Sequence, residues 1–187
     1  MSFEKALAQM KAQSARKPKP PPPPPPAESR EATVEAFRHF TYVFSHAVYR
    51  AAYGDPKGYA AFLDPEPAAE VLGRAVYDAL AASRFITPDH PEWDTVMRPP
   101  TADEIKGRED DLKRRAGVKT NKALYNGVGS VAVTLQDGQI ELHPLRHRGR
   151  GAWEGIKGHE PVRLAESVSS AELGEAVAAA IEISRTC

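Results

Sequence analysis

The chain has 187 residues with 25 basic and 25 acidic side chains, so its formal net charge is zero. That balance argues against a dedicated nucleic-acid binder, which usually carries a basic excess, and no apolar run reaches the roughly 18 residues needed to span a bilayer. The single cysteine, Cys187, cannot pair within the chain, and no cysteine cluster exists to hold zinc.

Residues 1–15 are mixed and charged, without the apolar stretch of a secretory signal, so the expected compartment is the cytoplasm. They can form a short helix through Phe3, Leu7 and Met10, marginal in isolation. Seven prolines follow, Pro20 to Pro26. Their rings fix φ and remove every backbone donor, so the run is an extended polyproline II rod. It reads either as a stiff spacer or as a ligand for a proline-binding module. The expected division is a flexible proline-rich segment over 1–29 and a folded α+β domain over 30–187.

Residues 36–53 are dense in aromatic and β-branched side chains, with Phe40, Tyr42 and Phe44 alternating. The pattern favours a hairpin turning near Ser45-His46 and closed by Gly54-Asp55-Pro56, with a single helix as the competitor. A helix is expected next, capped by Asp64 with Pro65 at its first position. Its stripe is Leu72, Ala75, Val76, Ala79, Leu80 and Ser83, one face at helical spacing, ending near Arg84. Residues 87–104 read as loop, and a polar helix from about Thr101 to Arg115 is stopped by Gly117.

The strongest β signal lies at 118–145. Asn126-Gly127 marks a turn, and Val128 to Leu135 forms a strand. Gln136-Asp137-Gly138 turns tightly into a return strand from Gln139 to Leu145. Pro144 cannot donate to a ladder, which points to a strand end or an edge. Gly149 to Gly158, with Trp153, reads as loop, and Pro161 to Ala165 as a short strand. A last helix opens at Ser169 with Glu172 three residues on, a capping box, and carries the stripe Leu173, Ala176, Val177, Ala180, Ile181 and Ser184.

These two helices echo each other. Leu72 to Arg84 lies over Leu173 to Arg185 at a constant offset of 101, with seven of thirteen positions identical. Gly73 and Gly174 each cost their helix about 1 kcal/mol relative to Ala, so each implies a close backbone approach, expected against the sheet. Arg84 and Arg185 are expected to end their helices, where a cation favours the dipole. The architecture is therefore α+β, an antiparallel sheet packed by two similar amphipathic helices.

Chemistry is harder to place. His143 and His147 would stand roughly 13 Å apart on a strand at about 3.3 Å per residue, too far to share an ion. No HExxH, CxxC, G-x-S-x-G or phosphate loop occurs. The expectation is no catalytic residue, no cofactor and no metal. The basic run His143 to Arg150 supports one alternative, a nucleic-acid-binding module acting through phosphate contacts. An uncharacterised hydrolase ranks third.

The ordered features carry a resemblance. The aromatic hairpin, the LGxAV helix ending in Ser-Arg, Thr120-Asn-Lys-Ala-Leu-Tyr-Asn-Gly127, Asp137-Gly138, the Ile140-x-Leu-x-Pro144 strand, Trp153-Glu154 and the closing Leu-Gly-Glu-Ala-Val helix together resemble the contact-dependent growth inhibition immunity proteins over about residues 37–187. The proline-rich head departs from that pattern. The resemblance implies a bacterial protein that binds a cognate toxin domain of a secreted exoprotein, often a nuclease, and blocks its active site or substrate access. It transfers no catalytic residue. Acidic groups facing a basic nuclease cleft would speed association, and the candidate toxin-binding sets are Asp64, Glu66 and Glu70, or Asp89, Glu92 and Asp94.

Overall fold

A computed structural model describes residues 23–149 and 151–187. The short helix expected through Phe3, Leu7 and Met10 lies outside the described residues, and Pro23 to Ser29 belong to no helix or strand. The strands are β1 (Arg30–Ala36), β2 (Thr41–Val48), β3 (Ala52–Gly54), β4 (Ala60–Leu63), β5 (Arg84–Phe85), β6 (Gly129–Gln136), β7 (Gln139–Gly149), β8 (Ala152–Gly155) and β9 (Val162–Ala165). The helices are α1 (Ala69–Ala82), α2 (Trp93–Val96), α3 (Ala102–Ala116), α4 (Asn121–Leu124) and α5 (Ser170–Thr186).

All nine strands form one curled sheet of order β3-β2-β1-β6-β7-β8, with β4 added to β2 and β9 to β7. Pairing is antiparallel except for a two-residue parallel contact of β5 with β2. One face presents Ala32, Val34, Val43, Val131, Val133, Ile140 and Leu142, all buried under α1 and α5. The other face is partly covered by α3 and α4, through Leu112, Ala116, Leu124 and Tyr125 packed on Phe37 and Phe40.

The helical echo extends through the whole sheet. Ser83 at the end of α1 accepts from Glu31 N and donates to His46 O, bridging β1 and β2. Ser184 accepts from Ser130 N and donates to Leu145 O, bridging β6 and β7 in the same way. Glu31 and Ser130, like His46 and Leu145, stand 99 residues apart. The strand register repeats too, Val43 pairing with Ala61 in β4 where Leu142 pairs with Val162 in β9. Val48 likewise pairs with Ala52 where His147 pairs with Trp153. The offset is 99 in the first two strands of each half and 101 from the third strand onward, the extra two residues falling in the β7–β8 connection. Thr33 pairs across the centre with its own counterpart, Ala132, so a local dyad passes between β1 and β6.

The glycines mark where that dyad crosses the helix layer. A Cβ on Gly73 would collide with the Ser170 carbonyl, and one on Gly174 with the Ala69 carbonyl. Each glycine thus receives the carbonyl four residues before the other. The close approach expected against the sheet is instead helix against helix, because the sheet already presents full side chains to both stripes.

Several local expectations need correction for identifiable reasons. The first turn is at Phe37–Phe40, closed by Phe37 N to Phe40 O at 2.9 Å, and Ser45 and His46 sit inside β2. Their polarity is met within the fold, by Tyr59 N on Ser45 Oγ and by Thr33 Oγ1 on the His46 ring. Helix α1 begins at Ala69 with no side-chain cap, because Pro65 and Pro67 keep the preceding chain extended. Arg84 leaves the helix for β5, whereas Arg185 does lie in the last turn of α5. Pro144 sits within β7, opposite Val131. On the outer side β9 stops at Leu142 and β8 starts at Leu145, so the missing N–H falls in the gap between them. Trp153 lies in strand β8 and Trp93 opens α2, both in stretches expected to be loop.

Other expectations stand as read. Thr101 and Ser169 both close capping boxes, and Gly117 ends α3 at φ 68°. Asp137 and Gly138, at φ 50° and 73°, make the β6–β7 turn.

Glycine substitutions separate packing from propensity. Gly73→Ala should lower the unfolding free energy by about 2–3 kcal/mol through forced separation of the helices. Gly107→Ala, in α3 with nothing within 4 Å of the new methyl, should raise it by about 0.5–1 kcal/mol. Urea denaturation of the two variants reads both signs.

Candidate partner-binding surface

The uncovered part of the second sheet face is an aromatic ladder. Period-2 alternation puts Tyr42, Phe44 and His46 of β2 on that face, and β4 adds Phe62 beside Tyr42. Phe62 and Tyr42 stack at 4.4 Å between centroids and 19° between planes. Tyr42 and Phe44 stack at 4.9 Å, and the His46 ring follows at 5.1 Å. Two arginines of α3 overlie the ladder, Arg115 at 3.7 Å from the Phe62 centroid and Arg108 at 5.2 Å from Phe44.

Arg108 is held by a buried partner, Glu35 Oε2 at 2.6 Å. Glu35 is 2% exposed, between Tyr42 on one neighbouring strand and Ser130 on the other. The carboxylate therefore fixes the guanidinium over the rings, a cation–π arrangement. Burial pushes Tyr42 up, and burial brings His46 down to about 4, so the imidazole is neutral near pH 7. Among the described residues, Phe62, at 39% exposure, is one of few large apolar side chains open to solvent, and Ile105 on the first turn of α3 is another. Ile105 continues the stripe of Leu112 and Ala116 but is 44% exposed. Exposed aromatics and anchored arginines are the residue types that dominate binding energy at interfaces.

The acidic candidates fall in two places. Asp64 and Glu66 are exposed in the β4–α1 connection immediately after Phe62, and Glu70 is exposed in the first turn of α1, paired with Arg74 at 3.0 Å. Asp89, Glu92 and Asp94 lie beyond the far end of α1, a helix about 21 Å long at ~1.5 Å per residue. The structure does not bring the two sets together. Asp89 accepts from Thr87 Oγ1 at 2.5 Å, and Asp94 is exposed.

Glu92 belongs to an ion-pair network. Arg84 grips Asp55 bidentately, Nε to Oδ2 at 2.5 Å and Nη2 to Oδ1 at 2.7 Å, and reaches Glu92 Oε2 through Nη1 at 2.6 Å. Lys57 also pairs with Glu92. Burial alone would raise Asp55, but the Arg84 hydrogen bonds and the Lys57 amide outweigh it and hold the carboxyl low. Hydrogen bonds from Lys57 and Arg84 bring Glu92 down to about 2. This network locks the β3–β4 connection to β5 and α2, so Glu92 has little capacity left for an external cation.

The basic run is similarly engaged. His143 sits 3.3 Å from Glu141, and Arg146 and Arg148 share Glu154. His147 is sandwiched between Tyr125 at 4.8 Å and Trp153 at 5.0 Å. Intramolecular carboxylates thus take up charge that phosphate contacts would need. Among the described residues no helix is long and apolar enough to cross a membrane.

The fold is α+β: a duplicated sheet with one face sealed by helices and the other offering aromatic and arginine side chains. Residues 30–184 match the family model of the CDI immunity protein, and the chain belongs to that family. A curated relative, Immunity protein CdiI-YPIII of Yersinia pseudotuberculosis serotype O:3, is 28% identical over 157 residues, covering 76% of this chain and 88% of the relative. Among solved structures, the CdiA-CT/CdiI toxin and immunity complex from Yersinia pseudotuberculosis matches with a TM-score of 0.70 and 27% identity, over 85% of this chain and 98% of that one. A Neisseria meningitidis protein of unknown function, NMB0488, matches with a TM-score of 0.72 and 26% identity, over 83% and 95%. The family suggested by the sequence is thereby upheld.

Arg84→Ala strips a buried carboxylate of its partner. Breaking a fully buried pair costs about 3–5 kcal/mol, and Arg84 is 30% exposed, so a loss of about 2–3 kcal/mol is expected. Asp55 and Glu92 both titrate lower when folded than unfolded. Their stabilisation is present above about pH 4, where the unfolded carboxyls are ionised, and is lost as pH falls toward 2. Denaturation of the wild type between pH 5 and 2 should show that slope, and Arg84→Ala should flatten it.

Proposed function

We propose that this immunity protein neutralises a cognate toxin domain of a secreted exoprotein in the bacterial cytoplasm, by covering the toxin's active site or its substrate's path. The carrying observation is family membership together with a relative of the same fold solved in complex with its toxin. Inhibition of this kind requires complementarity over about 1,600 Å² of total buried surface and no reaction by the inhibitor. A nuclease is the target class that suits the candidates Asp64, Glu66 and Glu70, since its substrate cleft is basic.

The surface proposed for the contact is the ladder end, with Phe62 as apolar anchor, Arg115 and Arg108 beside it, and Asp64 and Glu66 at the rim. Phe62 is exposed without the toxin and would be desolvated with it, which is where binding free energy concentrates. Asp89 and Asp94 are the weaker set because their neighbour Glu92 is already neutralised.

Co-expression with the toxin fragment encoded next to the gene should rescue growth, and the two chains should co-purify. An active toxin that kills despite the immunity protein, with no complex formed, would reject the reading. Phe62→Ala should raise the Kd for that toxin by about 10–100-fold, beyond the roughly 1–2 kcal/mol of stability lost with the Tyr42 stack and the Arg115 contact. Asp64→Lys with Glu66→Lys should slow association and weaken its salt dependence, while Asp89→Lys with Asp94→Lys should do neither. Surface plasmon resonance at two ionic strengths separates these outcomes.

A further inference from the structure

The far end of the β2–β3 hairpin carries a second aromatic surface, distinct from the ladder. Tyr49 directly follows β2 and Tyr53 lies in β3, while Trp93 of α2 and Met97, with Pro88 ahead of them, face the same hollow of about 540 Å³. The Tyr49 and Trp93 rings meet edge to face, 5.4 Å between centroids. Pro23 sits in this hollow as one of its walls. Arg50 donates through Nη2 to the Pro23 carbonyl at 2.9 Å and to the Pro24 carbonyl at 2.8 Å. Its guanidinium carbon lies 5.6 Å from the Tyr49 centroid.

This arrangement has the chemistry that proline-rich chains require. A proline run offers no backbone donor, only carbonyl acceptors and ring faces on a prearranged rod. It is therefore recognised by aromatic walls for the rings and by side-chain donors for the carbonyls. Tyr49, Tyr53 and Trp93 supply the walls, and Arg50 supplies the donor to two successive carbonyls. We propose that the Tyr49/Tyr53/Trp93/Arg50 groove is a polyproline II binding site, engaged by Pro23 and Pro24 of the same chain.

Occupation by the same molecule follows from the tether. Pro24 lies only a few residues ahead of β1, which begins at Arg30. So short a connection gives an effective concentration in the millimolar range, far above that of any second copy. The contacts themselves are those of an exposed arginine and partly open rings. They suit a segment that exchanges with an external proline-rich ligand, and the groove's ligand class is thereby set.

The chain has two tryptophans, Trp93 and Trp153, so its nitrogen-15 correlation spectrum carries two indole peaks, assigned with Trp153→Phe. Pro20 to Pro26 would be replaced in the full chain by a Gly-Ser segment of equal length, which touches none of the core clusters. The Trp93 peak should move and the Trp153 peak should stay. A synthetic peptide of residues 17–27 should return the Trp93 peak saturably toward its wild-type position, and Arg50→Ala should raise the peptide Kd about tenfold. A Gly-Ser peptide should do nothing. An unmoved Trp93 peak on replacement, or a peptide without saturable effect, overturns the site. A wild-type dimer that dissociates on replacement overturns its occupation in cis.

Discussion

Two helices in this fold touch backbone to backbone, and the rest of the architecture is arranged around that contact. Gly73 and Gly174 leave no room for a methyl group, because each faces the other helix's carbonyl one turn before its glycine. The close approach draws α1 and α5 together over the centre of the sheet, where β1 and β6 pair about the same dyad. Ser83 and Ser184 then pin the two helix ends to equivalent strand pairs, each hydroxyl both accepting and donating. Sheet register and helix packing thus enforce one symmetry, so a slip in either would break hydrogen bonds in both halves.

What could be read from sequence followed from how local each signal was. The stripes of α1 and α5 and the Asp137-Gly138 turn depend on residues a few positions apart, and they were legible. The repeat was visible only in the helices, where Leu, Gly, Ala, Val, Ser and Arg coincide. In the strands it survives as register, not identity, as when Tyr42 and Phe62 occupy the places of Glu141 and Arg163. The first turn was misplaced because Ser45 and His46 look like turn residues, yet their partners are Tyr59 and Thr33 on other strands. β1 was missed altogether, since Arg30, Glu31 and Glu35 mask an alternation that becomes clear only once Glu35 meets Arg108.

The surface was legible in part. Acidic side chains could be found by inspection, but nothing in the sequence shows that Glu92 is spent on Arg84 and Lys57. Nor does it show that Phe62 and Arg115, 53 residues apart, lie face to face. Arg84 illustrates the same point in reverse. As the partner of Arg185 in the helical echo it suggested a helix-end cation, but one half of the repeat turned that position into the hub of an ion-pair network. Arg185 kept the helix end and donates to the Ala36 carbonyl.

Such divergence shows how a duplicated scaffold can carry a one-sided surface. Equivalent positions on the second sheet face are aromatic in one half, Tyr42, Phe44 and Phe62, and polar or charged in the other, Glu141, His143 and Arg163. The segment joining the halves supplies α3 and α4, which break the symmetry by covering the centre of that face and laying Arg108 and Arg115 over the aromatic half alone. The buried face is constrained by close packing in both halves and has little freedom to vary. The open face is less tightly packed, so the surface proposed for toxin contact can vary there residue by residue while the two-fold core stays fixed. A binding protein that must match one partner closely is well served by that separation, because changes that tune specificity need not disturb the glycine contact on which the fold rests.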